Sequence, residues 1–355
     1  MHRPVCALIA VAVAFFATEQ NRTDATAEDE PAGPSAVDLN GHRFTLPDGF
    51  TIDLVANYPL VYRPVAAAYD HDGRLYVADS AGAGASGRGR LVRLDPARPD
   101  GRVLSGQVVA ESPARPPALR VRTRAGFRQV AADALARNGP APTECHRYES
   151  PAFGPAYLDN LFRARFDAAK VTRQTSESTA AESDFLVSDN PDFHPTDVTE
   201  DADGSLIVVD TGGWGDPFDP APRPGKADLL GAIYRVRKTG SHKVPDPRGL
   251  TLDWTVGAEE LARRLADERV AVRHRAVEQL GRANPADAVG PAARVLAESP
   301  ASRVRLAAVG ALDRIDHPHA RAAVRSATAD PDPAVRQAAA EAIGAAGTHL
   351  PSATP

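Results

Sequence analysis

The sequence predicts a multidomain chain, β then α: an incomplete or shortened β-propeller followed by a short α-solenoid. Three observations carry this reading. The stretch PVAAAYDHDGRLYVADS (64–80) is written a second time as PTDVTEDADGSLIVVDT (195–211), with Pro, Asp, the Asp-Gly turn, Leu, Val and the closing Asp in register. Each copy holds two short strand-like runs around a turn with Gly where a positive φ is wanted, and each is followed by a Gly-rich segment and a further strand, at 89–96 and 231–238. Such a recurring unit is the signature of a propeller blade. Beyond residue 258 the pattern changes to helical copies: VRHRAVEQL (272–280), VRLAAVGAL (304–312) and VRQAAAEAI (335–343), spaced 32 and 31 residues apart.

A chain of 355 residues with 43% apolar content and a net charge of −5 has room for two or three domains and can bury a sizeable core. The overall balance is acidic and the arginines are scattered through loops and helical copies alike, so no nucleic acid is expected as a partner. The excess of Arg over Lys, with abundant Ala, Pro and Gly, reads as the imprint of a GC-rich genome.

The first residues bear on compartment. A basic start (Arg3), an apolar run over 5–17 and the small-residue pattern Ala-Thr-Ala at 25–27 read as a signal peptide over 1–27. The expected location is therefore extracytoplasmic, periplasmic or secreted, with a membrane contact only through this segment if it stays uncleaved. Cys6 falls inside the signal, which leaves Cys145 alone and the mature chain without an internal disulfide.

Residues 28–39, polar and Pro-rich, read as a disordered spacer. The propeller-like domain is expected over 40–245. FTLPDGFTIDLV (44–55) reads as a strand entering the first blade, which runs to about residue 110. Residues 105–145 are irregular: Pro- and Arg-rich, with helical spacing over 127–137 ended by Asn138-Gly139. Strand patterns resume from Cys145. A linker (246–257), the helical repeats (258–347) and a disordered tail (348–355) follow. Apolar residues at i, i+4, i+5 and i+8 give each helix one stripe that a single pair cannot cover, so the pairs must stack. These copies resemble HEAT repeats, an armadillo-type fold, and the Arg after each Val is expected to form a ladder with Asp of a neighbouring turn.

Blade topology narrows the candidate site. If 196–200 is an innermost strand leaving one face of the disc, the 201–204 turn lies on the far face. His194, Asp210, Trp214, Asp216 and Asp219 then gather with Arg63 and Asp79 around one mouth, which Asp197 on the same strand borders. His194 is a candidate general base or metal ligand, or a cap on its own strand. Asp79 and Asp210 close equivalent strands, and repetition argues for a structural role. Trp214 fits stacking on a sugar or flat cofactor, or packing of a lid. Asp216 and Asp219 are spaced like hard-cation ligands, whereas DHDG and DADG read as plain turns. Cys145-His146 lacks the second Cys that covalent attachment needs, so no haem is expected.

Several blocks carry a family resemblance: 49–79, 148–174, DFLVSDNPDFHPTDVTEDADGSLIVVDTGGW (184–214), GAIYRVRKTG (231–240) and DPRGLTLDW (246–254). They resemble the PVC-type membrane-bound dehydrogenase-like propeller proteins, related to quinoprotein glucose and sorbosone dehydrogenases. The resemblance implies an extracytoplasmic oxidoreductase acting on a sugar or alcohol with pyrroloquinoline quinone and calcium. The sequence departs from that pattern in three ways. Its propeller region holds four blades at most where the family has about six, the loop after Trp214 lacks an expected Cys, and no cytochrome module follows. Two functions follow from this mixture: a quinoprotein-type dehydrogenase with catalysis weakened or lost, or a non-catalytic scaffold that holds a glycan at the mouth or a protein in the HEAT groove.

Overall fold

The computed structural model describes residues 34–81, 88–95, 102–112, 119–123, 126–130, 145–175, 182–213, 226, 229–241 and 243–348. Residues 1–27, expected to be a signal peptide, and Trp214, Asp216 and Asp219 lie outside the described residues. Among the described residues no helix is long and apolar enough to cross a membrane.

The N-terminal part is β-rich. Its strands are β1 (Ser35–Leu39), β2 (His42–Leu46), β3 (Phe50–Ala56), β4 (Pro64–Tyr69), β5 (Leu75–Ala81), β6 (Arg88–Leu94), β7 (Gly106–Ser112), β8 (Leu119–Thr123) and β9 (Gly126–Val130), then β10 (Cys145–Arg147), β11 (Leu161–Arg165), β12 (Lys170–Gln174), β13 (Ser183–Ser188), β14 (Pro195–Glu200), β15 (Leu206–Gly212) and β16 (Leu230–Lys238). They form three antiparallel sheets, ordered β4-β5-β6-β7, β14-β15-β16-β3 and β1-β2-β13-β12-β11-β10, with β8 and β9 as a separate hairpin.

The two sequence copies become the same structural unit. Pro64 pairs with Asp79 and Pro195 with Asp210, and each hairpin carries a register shift immediately after its proline. Both turns close alike, Gly73 N donating to Asp70 O at 3.3 Å and Gly204 N to Asp201 O at 2.9 Å. Gly73 (φ 87°) and Gly204 (φ 83°) hold the left-handed conformation that the Asp-Gly pattern predicts.

Four expectations are corrected. The spacer over 28–39 contains a strand, β1, because its alternating Ser35–Leu39 pairs with β2 through a tight Asn40-Gly41 turn. The stretch 44–55 is not one strand into the first blade: Pro47-Asp48-Gly49 breaks it, so that β2 joins β13 while β3 closes the last sheet by pairing with β16. The irregular stretch 105–145 supplies β7, the outer strand of the first blade-like sheet. Within the span of helical spacing, residues 127–130 are extended in β9; residues 131–137 lie outside the described residues.

Neighbouring sheets bury different cores. Between the six-stranded sheet and the β14 sheet lie Phe44, Phe50, Tyr148, Phe153, Phe162, Phe185, Phe193 and Tyr234, in a chain of edge-on and stacked rings. Between the β14 and β4 sheets the core is aliphatic (Val55, Val61, Ala67, Leu75, Val77, Val92, Ile207, Val209, Ile233). The alanines of β4 let it pack tightly on β14 and β15. Each fully buried large side chain contributes about 1.5–3 kcal/mol, and the two cores fix the sheets side by side.

Among the described residues six α-helices follow: α1 (Ala258–Arg263), α2 (Val270–Arg282), α3 (Pro285–Glu298), α4 (Ser302–Asp313), α5 (Pro318–Ser326) and α6 (Pro333–Thr348). Their stripes merge in one Ala-, Val- and Leu-rich core. The arginine of each copy caps the preceding turn in the same way: Arg273 donates to Asp267 O and Glu268 O, Arg305 to Ser299 O and Pro300 O, Arg336 to Asp330 O and Pro331 O. Arg305 adds the expected ladder bond, bidentate to Asp330 at 2.8 Å on each arm. The linker over 246–257 has neither helix nor strand, yet it is fastened toward both ends, Arg248 donating to Asp201 and Arg264 Nη1 to Asp253 O at 2.7 Å, and Trp254 Nε1 donates within it to Gly249 O at 2.8 Å.

Candidate functional site

The mouth is built from two copies of one latch. The amide of a residue just before a strand-opening proline points away from the ladder, and the aspartate closing the partner strand receives it. In the first copy Asp79, fully buried, accepts from Tyr62 N at 3.1 Å and Arg63 N at 2.7 Å. Its other oxygen takes Arg90 Nε of β6 at 2.6 Å, and the Arg90 guanidinium lies 4.4 Å from the centre of the Tyr62 ring. In the second copy Asp210 accepts from His194 N and Gly212 N, both at 2.9 Å. Its side-chain neighbour is of another kind: His42 of β2 places Nε2 3.8 Å from Asp210 Oδ2 and Nδ1 3.3 Å from Ser188 Oγ.

Gly231 joins the two latches. Its amide donates to Tyr62 O at 2.7 Å, and a Cβ there would lie 2.1 Å from Asp210 O and 2.8 Å from Pro64 Cδ. Arg63 and His194 therefore belong to the same rim. Asp197 is wholly buried and accepts Ala67 N at 3.0 Å, tying β14 to β4. Arg63 is 4% exposed, so its guanidinium is not presented to solvent.

His194 is half-buried, with its ring 4.6 Å from Phe166 at a 31° tilt. Its Nδ1 is 2.7 Å from the Gly212 carbonyl, which can only accept, so Nδ1 carries the proton and Nε2 the lone pair in the neutral ring. Lys226 covers the neighbouring Asp192 carboxylate, Nζ to Oδ2 2.7 Å. Burial pushes the Asp210 carboxyl up to about 7, against the two backbone donors that favour the carboxylate and with Asp192 adding to the rise. Burial likewise lowers His42, against the pull of Asp189 and Asp192.

These donors do not fit calcium. A hard cation needs six to eight converging oxygens with free lone pairs. Asp79 instead divides its oxygens between backbone N–H groups and Arg90, Asp197 and Asp210 each accept backbone N–H groups, and among the described residues no group of three His, Cys, Asp or Glu side chains converges; the candidate ligands Asp216 and Asp219 lie outside those residues. Nor does the buried Arg63 offer its guanidinium to an anionic quinone.

A concave region lies on the opposite, turn face, where the two Asp-Gly turns meet the linker. A cavity of about 340 Å³ is bordered by Tyr69, Asp203, Arg235, Asp246 and Arg248. Buried Asp201 accepts Arg235 Nη2 at 2.9 Å and Arg248, Arg235 reaches Tyr69 Oη at 3.1 Å, and the Arg248 guanidinium lies 4.5 Å from the Tyr69 ring centre. In the solenoid a cleft of about 350 Å³ runs beside Ala293, Leu296, Ala323 and the Arg305–Asp330 pair.

Sequence reasoning missed His42, Arg90, Phe166, Arg235 and Arg248. Arg90 follows its copy at a short interval and was open to inference. His42 and Phe166 reach the mouth only through strand pairing across the chain, which leaves no local signal.

Comparison with known proteins places these parts unevenly. The family model described as HEAT repeats matches residues 258–344, and a domain of unknown function, DUF7133, matches residues 38–116. No curated protein matches the chain. Among solved structures, a catalytically inactive virginiamycin B lyase from Staphylococcus aureus with quinupristin is similar at 14% identity and a TM-score of 0.18, covering 56% of this chain and 62% of that one. A streptogramin B lyase structure is similar at 14% identity and a TM-score of 0.18, covering 51% and 58%. The chain spans less than two thirds of either.

Proposed function

We propose that the protein is a non-catalytic binding scaffold of extracytoplasmic location: a shortened, dehydrogenase-derived propeller whose mouth loops and HEAT groove hold a glycan or a protein. The observation that carries this reading is the fate of the mouth carboxylates. Asp79, Asp197 and Asp210 are buried and bonded to backbone amides, so Asp79 and Asp210 brace strand ends and Asp197 ties two strands together, where the quinoprotein resemblance would call for groups facing a cofactor. The cleft beside Arg305 and Asp330 supports the binding role, since its wall is small and apolar with one charged end.

The test is to add pyrroloquinoline quinone with calcium to the purified protein and follow dye reduction across a panel of sugars and alcohols. No turnover above the protein-free blank is expected. Turnover that is lost in His194→Ala would overturn the scaffold reading, because His194 keeps a ring nitrogen at the mouth with a lone pair able to take a proton.

A further inference from the structure

The loop that leads from β3 to β4 along the rim carries an exposed aromatic side chain on a buried support. Tyr58 is 55% exposed, yet its ring meets that of Tyr62 edge-on, with centres 5.3 Å apart and planes at 89°. Tyr62 is held in turn by Arg90, whose guanidinium lies 4.4 Å from its ring centre. Arg90 is anchored by two bonds, Nε to Asp79 Oδ2 at 2.6 Å and Nη2 to Leu60 O at 3.2 Å. The loop backbone is pinned as well: Leu60 N and Val61 N donate to Asn57 O at 2.9 and 3.2 Å, and Tyr62 N donates to Asp79. The exposed ring therefore stands on a chain of contacts that ends in the fully buried carboxylate of the first latch.

We propose that Tyr58, braced by Tyr62 and Arg90, is a stacking platform on the rim of the mouth, and that it takes a sugar ring of a neutral glycan whose hydroxyls bond to the carboxamides of Asn57 and Asn40. The assignment rests on the reading of the mouth as a surface that holds a glycan or a protein, and it selects the glycan.

Two properties of the arrangement point to that ligand. An exposed side chain loses rotamer freedom when a ligand orders it, which weakens binding; Tyr58 is already held against Tyr62, so less is lost. An edge-on contact covers at most one face of a ring, and with more than half of the residue exposed the other face of Tyr58 is open. The residue before it supplies the polar edge: Asn57 Nδ2 donates to Asn40 Oδ1 at 3.3 Å, and Asn40 Nδ2 to Tyr234 Oη at 2.9 Å. Carboxamides carry donors and acceptors without charge, and the charge of Arg90 is neutralised by Asp79. A flat apolar face edged by neutral donors and acceptors matches a sugar ring, which lays its C–H groups on the aromatic face and turns its hydroxyls to the amides.

Calorimetric titration of the full chain with maltohexaose, cellohexaose and mannohexaose tests this. At least one is expected to bind, with its affinity lowered about tenfold or more in Tyr58→Ala. Tyr58→Phe keeps the ring and loses only the hydroxyl, so its affinity is expected to stay within about threefold of the wild type. Tyr62→Ala leaves Tyr58 in place without its brace and is expected to weaken the same ligand by a smaller factor than Tyr58→Ala. Thermal melts of each variant show that the fold is intact, and because Tyr58 is exposed its Tm is expected to be that of the wild type. A hexasaccharide that binds Tyr58→Ala as tightly as the wild type overturns the platform and leaves the scaffold reading standing. Failure of all three to bind the wild type overturns it too, and leaves the scaffold with a protein in place of a glycan. Dye reduction with added quinone and calcium overturns the scaffold reading whatever Tyr58→Ala does, so the two failures are read separately.

Discussion

His274 Nε2 on helix α2 lies 2.9 Å from Glu149 Oε2 in the β-rich part, so the solenoid is fastened to the sheets by an ion pair as well as by the linker. A second pair of the same type, His71 of the first Asp-Gly turn to Glu278 at 2.8 Å, fastens the same helix one turn further along. Burial raises the Glu149 carboxyl, but His274, Arg273 and His146 outweigh it and hold it down to about 2. Its contribution is therefore present above about 4.5 and lost as pH falls toward 2. His274→Ala is expected to destabilise the protein by about 1–2 kcal/mol at pH 6 and to flatten the fall in Tm between pH 4.5 and pH 2.5. Thermal melts of the two proteins across that range check it; parallel curves would mean that the pair does not hold Glu149 ionised.

The internal repeat supplies a matched pair of mutations. Asp201 and Asp70 occupy equivalent turn positions, yet Asp201 is buried under Arg235 and Arg248 while Asp70 is partly exposed beside Arg74. Asp201→Ala leaves two largely buried guanidinium groups without their shared carboxylate, at about 3–5 kcal/mol. Asp70→Ala loses a surface pair and two exposed or half-exposed turn bonds, about 1–2 kcal/mol. Urea unfolding of both variants checks the ratio, and equal losses would contradict a buried network under the linker.

Gly231 gives a steric test of how the latches are joined. A Cβ there meets the Asp210 carbonyl and Pro64 Cδ, both fixed by strand pairing, so Gly231→Ala is expected to cost more than about 2 kcal/mol. Gly257, at the start of α1, has nothing within 4 Å of a Cβ and an ordinary φ of −72°, so Gly257→Ala is expected to be nearly neutral. Denaturation midpoints of the two variants separate the cases.

How much of this was legible in the sequence follows from how local each feature is. The two hairpins, their turn glycines and the helical copies were readable because period and turn chemistry are written within some twenty residues and the helical copies recur at 32 and 31. The assignment of 44–55 to one strand failed because β2 and β3 find their partners, β13 and β16, more than a hundred residues away. Similarly, the repetition of Asp79 and Asp210 suggested a shared structural role, and Arg90 lies close enough in sequence to be inferred for the first, but nothing nearby said that the second would face His42. Counter-charges delivered by remote strands set the electrostatics of a site, and one sequence without its pairings does not show them.

The burial of Asp210 yields the sharpest stability prediction. In the native state Asp210 holds a proton up to about 7, whereas the unfolded chain releases it near 3.8. Across that window the native state binds more protons than the unfolded one, so this group makes stability fall as pH rises from about 4 to 7, and its cost is fully developed above 7. Each tenfold difference in proton affinity between the two states is worth roughly 1.4 kcal/mol, which brings the full cost to a few kcal/mol. Asp210→Asn keeps one oxygen to accept the His194 and Gly212 amides and carries no charge, so it is expected to stabilise the protein at pH 8 while changing little at pH 4.5. Asp79→Asn does the opposite at pH 8, because it leaves the Arg90 guanidinium without its carboxylate. Denaturant unfolding of the wild type and both variants at pH 4.5 and pH 8 measures each sign, and destabilisation by Asp210→Asn at pH 8 would mean that the carboxylate form is the one the fold prefers.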